Sequence, residues 1–302
     1  MEIVFYVLTV IVTGFNALGA LGKKYSNAYT QREKFLNIAC FSALVAIVTW
    51  IVFAFSGEKI TGTALLFAAL FGVNFVLCNY VLYAAMEVGS LSKTNLFTSF
   101  SLIIPTLAGV IFWHEEFNIW LLSVALLLML ASLLLILLRK DADEGGTENG
   151  KKAKAKWIVF SILAFITNGL STIIQKAEQT AANGEGAFSM TALSFTFTAV
   201  IAFAVFLLFS AIRKWDMFRQ DMEALSRNKK SVFLNATGVG VVNLAATYLS
   251  TRVAAAFLYP CVLGGSVIIT AVFSAVFFKE KMGARTVAGI LLGVVSIVLL
   301  SL

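Results

Sequence analysis

The chain has 302 residues, of which 60% are hydrophobic and only 13% are charged. Soluble domains carry nearly twice that charged fraction, so this composition excludes a soluble globular protein. The net charge of +7 does not indicate a nucleic-acid partner, because the basic residues are placed in short segments between apolar runs.

Ten apolar runs follow one another along the chain, each about the 20 residues that a helix needs to cross the hydrocarbon of a bilayer. None alternates with period two, so the runs predict helices and not the strands of a lipid-facing barrel. The first run has no basic start and is too long for a cleaved signal, and we expect it to be a span. The predicted spans are 3–22, 35–57, 60–86, 94–113, 117–138, 157–175, 186–212, 231–251, 253–278 and 286–302.

Lysine and arginine are distributed very unevenly between the two sides of these spans. The segments after the odd-numbered spans hold 20 of the 23 basic residues, and only Lys59, Lys176 and Arg252 fall on the other side. Because short basic loops stay in the cytoplasm, both termini are predicted to be extracytoplasmic, in what we expect to be a bacterial inner membrane. The cytoplasmic segments include a charged linker at 139–156 and a weakly amphipathic stretch at 213–231, predicted to lie along the membrane surface.

The two halves of the chain resemble each other. A shift of 165 residues aligns spans three to five with spans eight to ten, and it pairs Tyr83 with Tyr248, Ser101 with Ser266 and Glu115 with Glu280. A shift of 152 residues aligns the first span with the sixth, and it pairs Asn16 with Asn168 and Lys24 with Lys176. Residues 1–138 and 157–302 are therefore predicted to be two five-helix repeats. Since five is odd, the second repeat must cross the membrane upside down relative to the first.

Inverted repeats are typical of transporters, because two similar units in opposite orientations can pack in two nearly equivalent ways, each open to one side. The pattern predicts a secondary active or facilitative transporter, or an exporter, that works by alternating access around a central cavity. The aromatic and amide side chains of the spans suit a small organic solute, such as an amino acid, an amphipathic metabolite or a drug-like compound.

An F-x-x-E turn follows spans four and nine, as FWHE at 112–115 and FFKE at 277–280. With ten helices arranged as five plus five and a glycine-bearing last helix, the whole chain resembles the EamA-type permeases of the drug/metabolite transporter superfamily. The resemblance implies that spans one to four and six to nine line the cavity, while spans five and ten brace the outside. It also implies cytoplasmic termini for many relatives, which is the reverse of the prediction from basic residues.

Glu115 and Glu280 stand where one span ends and the next begins. There a carboxylate can accept from free backbone N–H groups at the start of the following helix. We therefore predict a structural role for both glutamates in their turns.

Neutral polar side chains recur at helical spacing on the spans that should line the cavity. A buried amide without a partner costs several kcal/mol in hydrocarbon, so these side chains must face protein or water. Either these side chains form hydrogen bonds between helices or they line a water-filled cavity. Taken together, the rows of polar side chains on these spans are predicted to line a cavity. The predicted substrate-binding residues are Asn16, Asn79, Tyr80, Tyr83, Thr98, Asn168, Thr172, Gln175, Asn243, Thr247 and Tyr259.

Charged residues at the ends of spans form a second group of candidates. The 165-residue shift superposes Glu87 on Arg252, at the ends of spans three and eight. In an inverted repeat these two lie toward opposite membrane faces, where they serve either as interfacial anchors or in gating and attraction of the substrate. Lys24 and Lys176, which also end matched spans, are expected to reach out to the membrane surface.

Proline and glycine mark places where helices bend or approach closely. Pro105 within span four and Pro260 near the start of span nine each remove a backbone hydrogen bond, and we expect a bend at both. Gly289 and Gly293 form a G-x-x-x-G motif on span ten, which permits close contact either with span five or with a second copy in a homodimer.

Catalytic and cofactor motifs are missing from the sequence. It holds no P-loop, no paired acids and no metal-ligand spacing within the spans, so we expect no enzymatic activity, no metal and no cofactor. The single histidine, His114, falls in a short loop. No acidic residue lies in the middle of a span, which argues against proton coupling by a central carboxylate. The alternative to a transporter is a membrane scaffold or accessory subunit that carries no solute.

Overall fold

The computed structural model describes residues 2–26, 28, 30–112, 118–137, 148–181, 186–211, 218–249, 260–280 and 282–299. Helices make up most of these residues, and none of the described residues is in a strand, which confirms the predicted helical class. Four of the predicted site residues or turn residues fall outside this description, namely Glu115, Arg252, Tyr259 and the side chain of Thr247.

The helices are α1 (Glu2–Lys24), α2 (Gln31–Ser56), α3 (Gly62–Val88), α4 (Leu91–Ser99), α5 (Ile103–Phe112), α6 (Ile119–Leu137), α7 (Glu148–Ala181), α8 (Ala187–Ala211), α9 (Phe218–Leu249), α10 (Gly265–Phe277) and α11 (Ala284–Leu299). Among the described residues, four helical segments are long and apolar enough to cross a membrane: Gln31–Ser56, Gly62–Val88, Lys152–Glu178 and Ala187–Ser210. Shorter apolar helices occupy Ile119–Ser132, Val262–Phe277 and Ala284–Leu299.

Hydroxyl side chains fix where several helices begin. Thr30 accepts from the Glu33 N–H at 3.2 Å, Thr61 from the Ala64 N–H at 3.1 Å, and Ser90 from the Lys93 N–H at 3.2 Å. Each hydroxyl satisfies one of the backbone donors that a helix start leaves without an intrahelical partner, which sets the first residues of α2, α3 and α4.

Two helices extend into segments that were expected to be separate from the spans. The helix α7 begins at Glu148, inside the predicted linker, because the lysine- and alanine-rich sequence there favours helix. The helix α9 begins at Phe218, so the stretch predicted to lie along the membrane surface instead continues directly into span eight. Asp221, Ala224 and Asn228 of this extension are buried, which explains why it remains packed against the bundle.

Both prolines lie where regular α-helix adjoins another helix type. Span four is divided into α4, one 3-10 turn at Phe100–Leu102, and α5. Pro105 lacks the N–H that would bond to the Ser101 carbonyl, so the chain tightens at this point. In span nine, the residues that the structure describes start with a π-helical turn at Pro260–Gly264, which runs directly into α10. The bends expected at the two prolines stay predictions.

The helices of the first half pack mainly against helices of the second half. Helix α1 packs against α9 and α10, while α7 packs against α3, α4 and α5. Helix α3 also contacts α8, and α2 also contacts α9. The pairs α2–α8, α4–α10 and α6–α11 complete the bundle. If each helix is replaced by its counterpart in the other half, this set of neighbours is reproduced.

A close approach between the backbones of the two halves lies where α1 crosses α9. A Cβ on Gly238 of α9 would lie 2.4 Å from the Gly19 backbone nitrogen and 2.6 Å from the Phe15 carbonyl oxygen. Backbone atoms cannot move aside as a side chain can. Glycine is therefore required at position 238 for the two helices to touch.

We expect Gly238→Ala to lower the free energy of unfolding by about 1–3 kcal/mol, the usual effect of forcing a methyl group into a packed contact. Gly14→Ala on α1 is the matched control, because a Cβ there meets nothing within 4 Å. It should be neutral or stabilising by roughly 0.5–1 kcal/mol, since alanine favours helix over glycine. Thermal unfolding of the purified variants in detergent distinguishes them; equal midpoints for the two variants would contradict the close approach.

The G-x-x-x-G motif of α11 faces the interior of the chain. Ser132 of α6 donates to the Gly289 carbonyl at 2.6 Å, and a Cβ on Gly293 would lie 2.6 Å from Leu96 Cδ1 of α4. Both glycines are buried by helices of the same chain. A homodimer, which stays a prediction, would have to use another face of α11.

Candidate functional site

Two side-chain hydrogen bonds join helices at corresponding places in the two halves. On one side, Asn16 Nδ2 of α1 donates to Ser266 Oγ of α10 at 3.2 Å. On the other, Asn168 Nδ2 of α7 donates to Ser101 Oγ, next to α5, at 2.7 Å. Asn16 corresponds to Asn168, and Ser266 to Ser101, in the two predicted shifts of 152 and 165 residues. The same bond is therefore made twice between equivalent residues.

A second reciprocal pair joins the outer helices α6 and α11. Ser132 donates to the Gly289 carbonyl at 2.6 Å, and Ser296 donates to the Ala125 carbonyl at 2.7 Å. The differences 296 − 132 and 289 − 125 are both 164, one less than the predicted shift of 165, so donors and acceptors match each other in a register displaced by one residue. Such reciprocity is expected where two similar units meet around a two-fold axis.

Two of the predicted cavity residues on α3, Asn79 and Tyr83, are separated by one helical turn and are both buried. The Tyr83 hydroxyl accepts from Asn235 Nδ2 of α9 at 2.7 Å, and Asn235 Oδ1 accepts from Lys23 Nζ of α1 at 2.9 Å. Asn79 Nδ2 donates to the Phe75 carbonyl of its own helix at 2.9 Å, while its buried Oδ1 has no hydrogen-bond partner. These side chains form a group of polar residues where α1, α3 and α9 meet.

The charge of Lys23 is the unusual feature of this group. Its side chain is buried, and within the described parts of the chain it forms an ion pair with no carboxylate. An ammonium group held inside a protein against neutral partners keeps much of its desolvation cost. A ligand bearing an acidic group would remove that cost.

Other predicted residues bond within or between helices nearby. Gln175 Nε2 of α7 donates to Asn243 Oδ1 of α9 at 3.4 Å, which is long for a hydrogen bond, and Asn243 Nδ2 also donates to the Val239 carbonyl. Thr98 and Thr172 donate to carbonyls of their own helices. These side chains do not form one cluster with Lys23 within the described residues.

Tyr80 lies toward one end of the bundle. Its hydroxyl donates to Gln31 Oε1 at 2.5 Å, and its ring stacks on Phe35 with centroids 5.0 Å apart. These contacts place it beside the first turn of α2.

Ion pairs are concentrated at this end of the bundle, which we call the ionic end and define by Lys24, the first turn of α2, Glu87, the first turns of α9, and Glu280. The ion pairs are Arg32–Asp221 at 2.5 Å, Lys34–Glu87 at 2.5 Å, Arg227–Glu33 at 3.4 Å and Lys24–Glu280 at 3.6 Å. All these residues belong to the basic side predicted to be cytoplasmic. Three of the four pairs join one half of the chain to the other.

The pair Arg32–Asp221 is the most deeply buried, with side chains 9% and 3% exposed. Burial raises the pKa of Asp221 above its ordinary value, although the Arg32 guanidinium acts in the opposite direction. Desolvation therefore cancels much of the attraction, as is common for buried pairs. The pair contributes more to fixing α2 against α9 than to net stability.

Glu280 does make the predicted backbone contact, but to a different helix. Its Oε1 accepts from the Leu91 N–H at 3.2 Å, at the start of α4 and not of the following helix α11. The other oxygen accepts a short hydrogen bond from Ser274. A carboxylate at the start of α4 is favoured by the helix dipole.

Lys24 was expected at the membrane surface and instead lies between helix ends. Its Nζ donates to the Met86 carbonyl at 2.9 Å and to the Gly89 carbonyl at 2.5 Å, where α3 ends, and it pairs with Glu280. A cation near the last carbonyls of α3 and an anion at the start of α4 each complement a helix end. These bonds hold the Lys24 ammonium between the two helix ends, so its side chain does not extend outward.

Glu87 pairs with Lys34 of the same half and is 47% exposed, so it is an interfacial residue whose role in gating stays a prediction. The sequence analysis missed Lys23, Asn235 and Asn74, which donates to Ser171 Oγ at 2.8 Å and to the Thr167 carbonyl at 2.7 Å. A single amide in an apolar run was the available signal for both asparagines.

We expect Asp221→Asn to lower the free energy of unfolding by about 3 kcal/mol, because it leaves the buried Arg32 without its carboxylate. Glu223→Gln, two residues along α9 and exposed, is the control and should change it by less than about 1 kcal/mol. Thermal unfolding in detergent compares the two; a loss in Glu223→Gln as large as in Asp221→Asn would show that the buried pair is not special.

The apolar helices, with polar side chains bonded between halves and charges gathered at one end, define an integral membrane protein. Residues 155–302 match the sequence model of the EamA-like transporter family, so the second half of the chain belongs to that family. The match confirms the resemblance to EamA-type proteins of the drug/metabolite transporter superfamily, a family that implies a membrane transporter. No curated protein is significantly similar to the chain.

Proposed function

We propose that the protein moves a small organic solute across the membrane by alternating access, as a secondary active or facilitative transporter or exporter. The observation that carries this proposal is the reciprocal bonding of Asn16 with Ser266 and of Asn168 with Ser101. Equivalent residues of the two halves hold equivalent neighbours. Two halves related in this way have two packings of similar energy, and exchange between them exposes a site first to one side and then to the other.

The arrangement of the halves is, in this proposal, an inverted repeat. Each half contributes five spans, and the exchange of helix neighbours between halves supports a two-fold axis that lies in the membrane plane. The outer pair α6 and α11 sits apart from the helices that hold Lys23, Tyr83 and Asn235. This is the division between bracing and lining helices that the family resemblance implies.

The ionic end is closed in this conformation. Arg32–Asp221 and Lys24–Glu280 tie the first half to the second there, and both must separate before a path opens at that end. In this proposal the ionic end, with its excess of basic residues, faces the cytoplasm, both termini lie outside, and the membrane is a bacterial inner membrane.

Cysteine labelling tests this orientation. In a background without Cys40, Cys78 and Cys261, a cysteine at position 148 should be protected in intact cells from a membrane-impermeant maleimide and should react after the cells are permeabilised. A cysteine at position 59 should show the opposite behaviour. Labelling of position 148 in intact cells would reverse the proposed orientation without affecting the transport proposal.

The polar group at α1, α3 and α9 is the proposed substrate site. The Lys23 ammonium favours an acidic group, Asn79 Oδ1 can accept from a donor of the substrate, and the Tyr83 ring offers an apolar face. An amino acid or another carboxylate-bearing metabolite fits these groups better than a cationic drug, which Lys23 would repel.

Reconstituted vesicles test whether the protein transports at all. Radiolabelled amino acids, nucleosides, sugars and organic cations should be ranked first by thermal shift, since a ligand at 100 times its Kd stabilises by about 2.7 kcal/mol. We expect saturable uptake of the best stabiliser, with carboxylate-bearing compounds first. Protein that stabilises with none of the four classes and gives no flux would support the alternative of a scaffold or accessory subunit.

Lys23→Gln tests the proposed substrate site. A lost charge-assisted hydrogen bond is worth roughly 1.5–3 kcal/mol, so we expect uptake of an acidic substrate at low concentration to fall about 10- to 100-fold. Lys229→Gln, on an exposed part of α9, is the control and should transport normally. Equal uptake by both variants, at matched amounts of folded protein, would remove Lys23 from the site.

A further inference from the structure

Glu178 lies near the end of α7, three residues beyond the predicted span 157–175. Its side chain is only 1% exposed, and neither carboxylate oxygen has a hydrogen-bond partner. The sequence gives no sign of an acid in this span, because Glu178 stands just outside the apolar run. It is nevertheless as buried as a residue within the span.

An apolar cluster and the start of α8 both lie near Glu178. One turn earlier on α7, Ile174 packs on a buried cluster formed by the first turns of α3 and α8, namely Ala64, Ala68, Phe71, Met190 and Leu193. On the polar side is Gly186, just before α8. A Cβ built there would lie 3.8 Å from Glu178 Oε1 and 3.1 Å from Ser189 Oγ. The carboxyl therefore sits beside the start of α8.

A second carboxylate reaches the same helix start. Glu58, in the connection between α2 and α3, accepts from the Ser189 N–H at 2.9 Å through its Oε2. Glu58 thereby satisfies a free donor of α8 and is stabilised as an anion by the helix dipole. Glu178 lies beside the same helix start, but no hydrogen bond to it is made by the described residues.

The other charged groups around Glu178 can be identified element by element. Lys59 follows Glu58 and is exposed, and Lys176 is on α7 itself. The helices α5 and α8 carry no titratable side chain. Titratable residues of α3 and α4 lie toward the ionic end, and they are Cys78, Tyr80, Tyr83, Glu87 and Lys93.

The physical cost of an ionised Glu178 decides its state. A buried carboxylate without hydrogen bonds costs several kcal/mol, whereas the protonated acid costs far less. The neighbouring anionic Glu58 adds repulsion that further favours the neutral form. Both effects act in the same direction, and no described side chain forms an ion pair with Glu178 that would oppose them.

We propose that Glu178, paired with the anionic Glu58, is a proton-binding site at the end of the bundle opposite the ionic end. This role rests on the proposed transport function. When that end opens, water reaches the carboxyl, the proton passes to water, and the Glu178 carboxylate that remains is hydrated. Closing the end again requires that a proton be taken up. The opening and closing of that end therefore depend on the pH on that side of the membrane.

Infrared spectroscopy of the purified protein in nanodiscs tests the proton directly, without any substrate. At about pH 6 an ordinary glutamate, with a pKa of roughly 4.3, is almost fully ionised, so the band of a protonated carboxyl reports only perturbed acids. We expect this band in the wild type and in Glu223→Gln, and its loss in Glu178→Gln. A band of equal intensity in Glu178→Gln, or none in the wild type, would overturn the proposal.

Thermal unfolding between pH 5 and pH 8 provides a second measurement. A buried acid that is protonated in the folded state and ionised in the unfolded state stabilises the fold less as the pH rises. Wild-type stability should therefore fall with rising pH more steeply than that of Glu178→Gln, which keeps the neutral form at every pH. Glu58→Gln removes the repelling charge and makes ionisation of Glu178 easier, so it should move the fall to lower pH. Identical pH profiles for Glu178→Gln and the wild type contradict the site.

The infrared band, compared with flux in reconstituted vesicles, separates the proton site from transport. Loss of the carboxyl band in Glu178→Gln together with an absence of flux would leave the site and remove the transport proposal. Flux in the wild type, together with a carboxyl band that Glu178→Gln leaves unchanged, would remove the proton site and leave the transport proposal.

Discussion

Polar side chains within membrane-spanning helices must find their partners inside the protein, because the hydrocarbon around them offers none. In this chain that constraint is met mainly between the halves. Asn16 bonds to Ser266, Asn168 to Ser101, and the serines of α6 and α11 bond to carbonyls of each other's helix. Each bond has a counterpart at the matching position of the other half. The polar residues therefore specify which helices meet, while the apolar residues only require that they lie in the membrane.

The two ends of the bundle solve the problem of charge differently. At the ionic end, acids and bases pair across the halves, and Lys24 with Glu280 complements the end of α3 and the start of α4. At the other end, Glu58 binds the start of α8 and leaves Glu178 buried without a hydrogen bond. One end is thus closed by contacts that break only when the halves separate. The other contains a group whose burial depends on a proton, so that opening and protonation are linked there.

Membership of the EamA-like transporter family and the bonding pattern lead to the same general function by independent routes. The family match covers residues 155–302, whereas the reciprocal bonds involve both halves equally. Lys23 and Glu178 are not part of these reciprocal bonds. Among the described residues, neither of them forms an ion pair. In our proposal the framework provides the motion, Lys23 selects the solute, and Glu178 makes the opening of one end depend on pH.

Amino-acid sequence alone determined the helical membrane class, the resemblance to the EamA-like family and the correspondence of positions in the two halves, because hydrophobic length and repetition are local properties. It did not determine which polar residues become neighbours. Glu280 was correctly placed at a turn, but its helix-start partner is on α4, and Lys24 bonds to carbonyls between helix ends where a surface residue was expected. Glu178, three residues past its apolar run, was overlooked. Burial and partner choice arise from contacts between segments far apart in the chain, so only the tertiary structure decided whether a charge at the end of a span reaches water, an opposite charge, or neither.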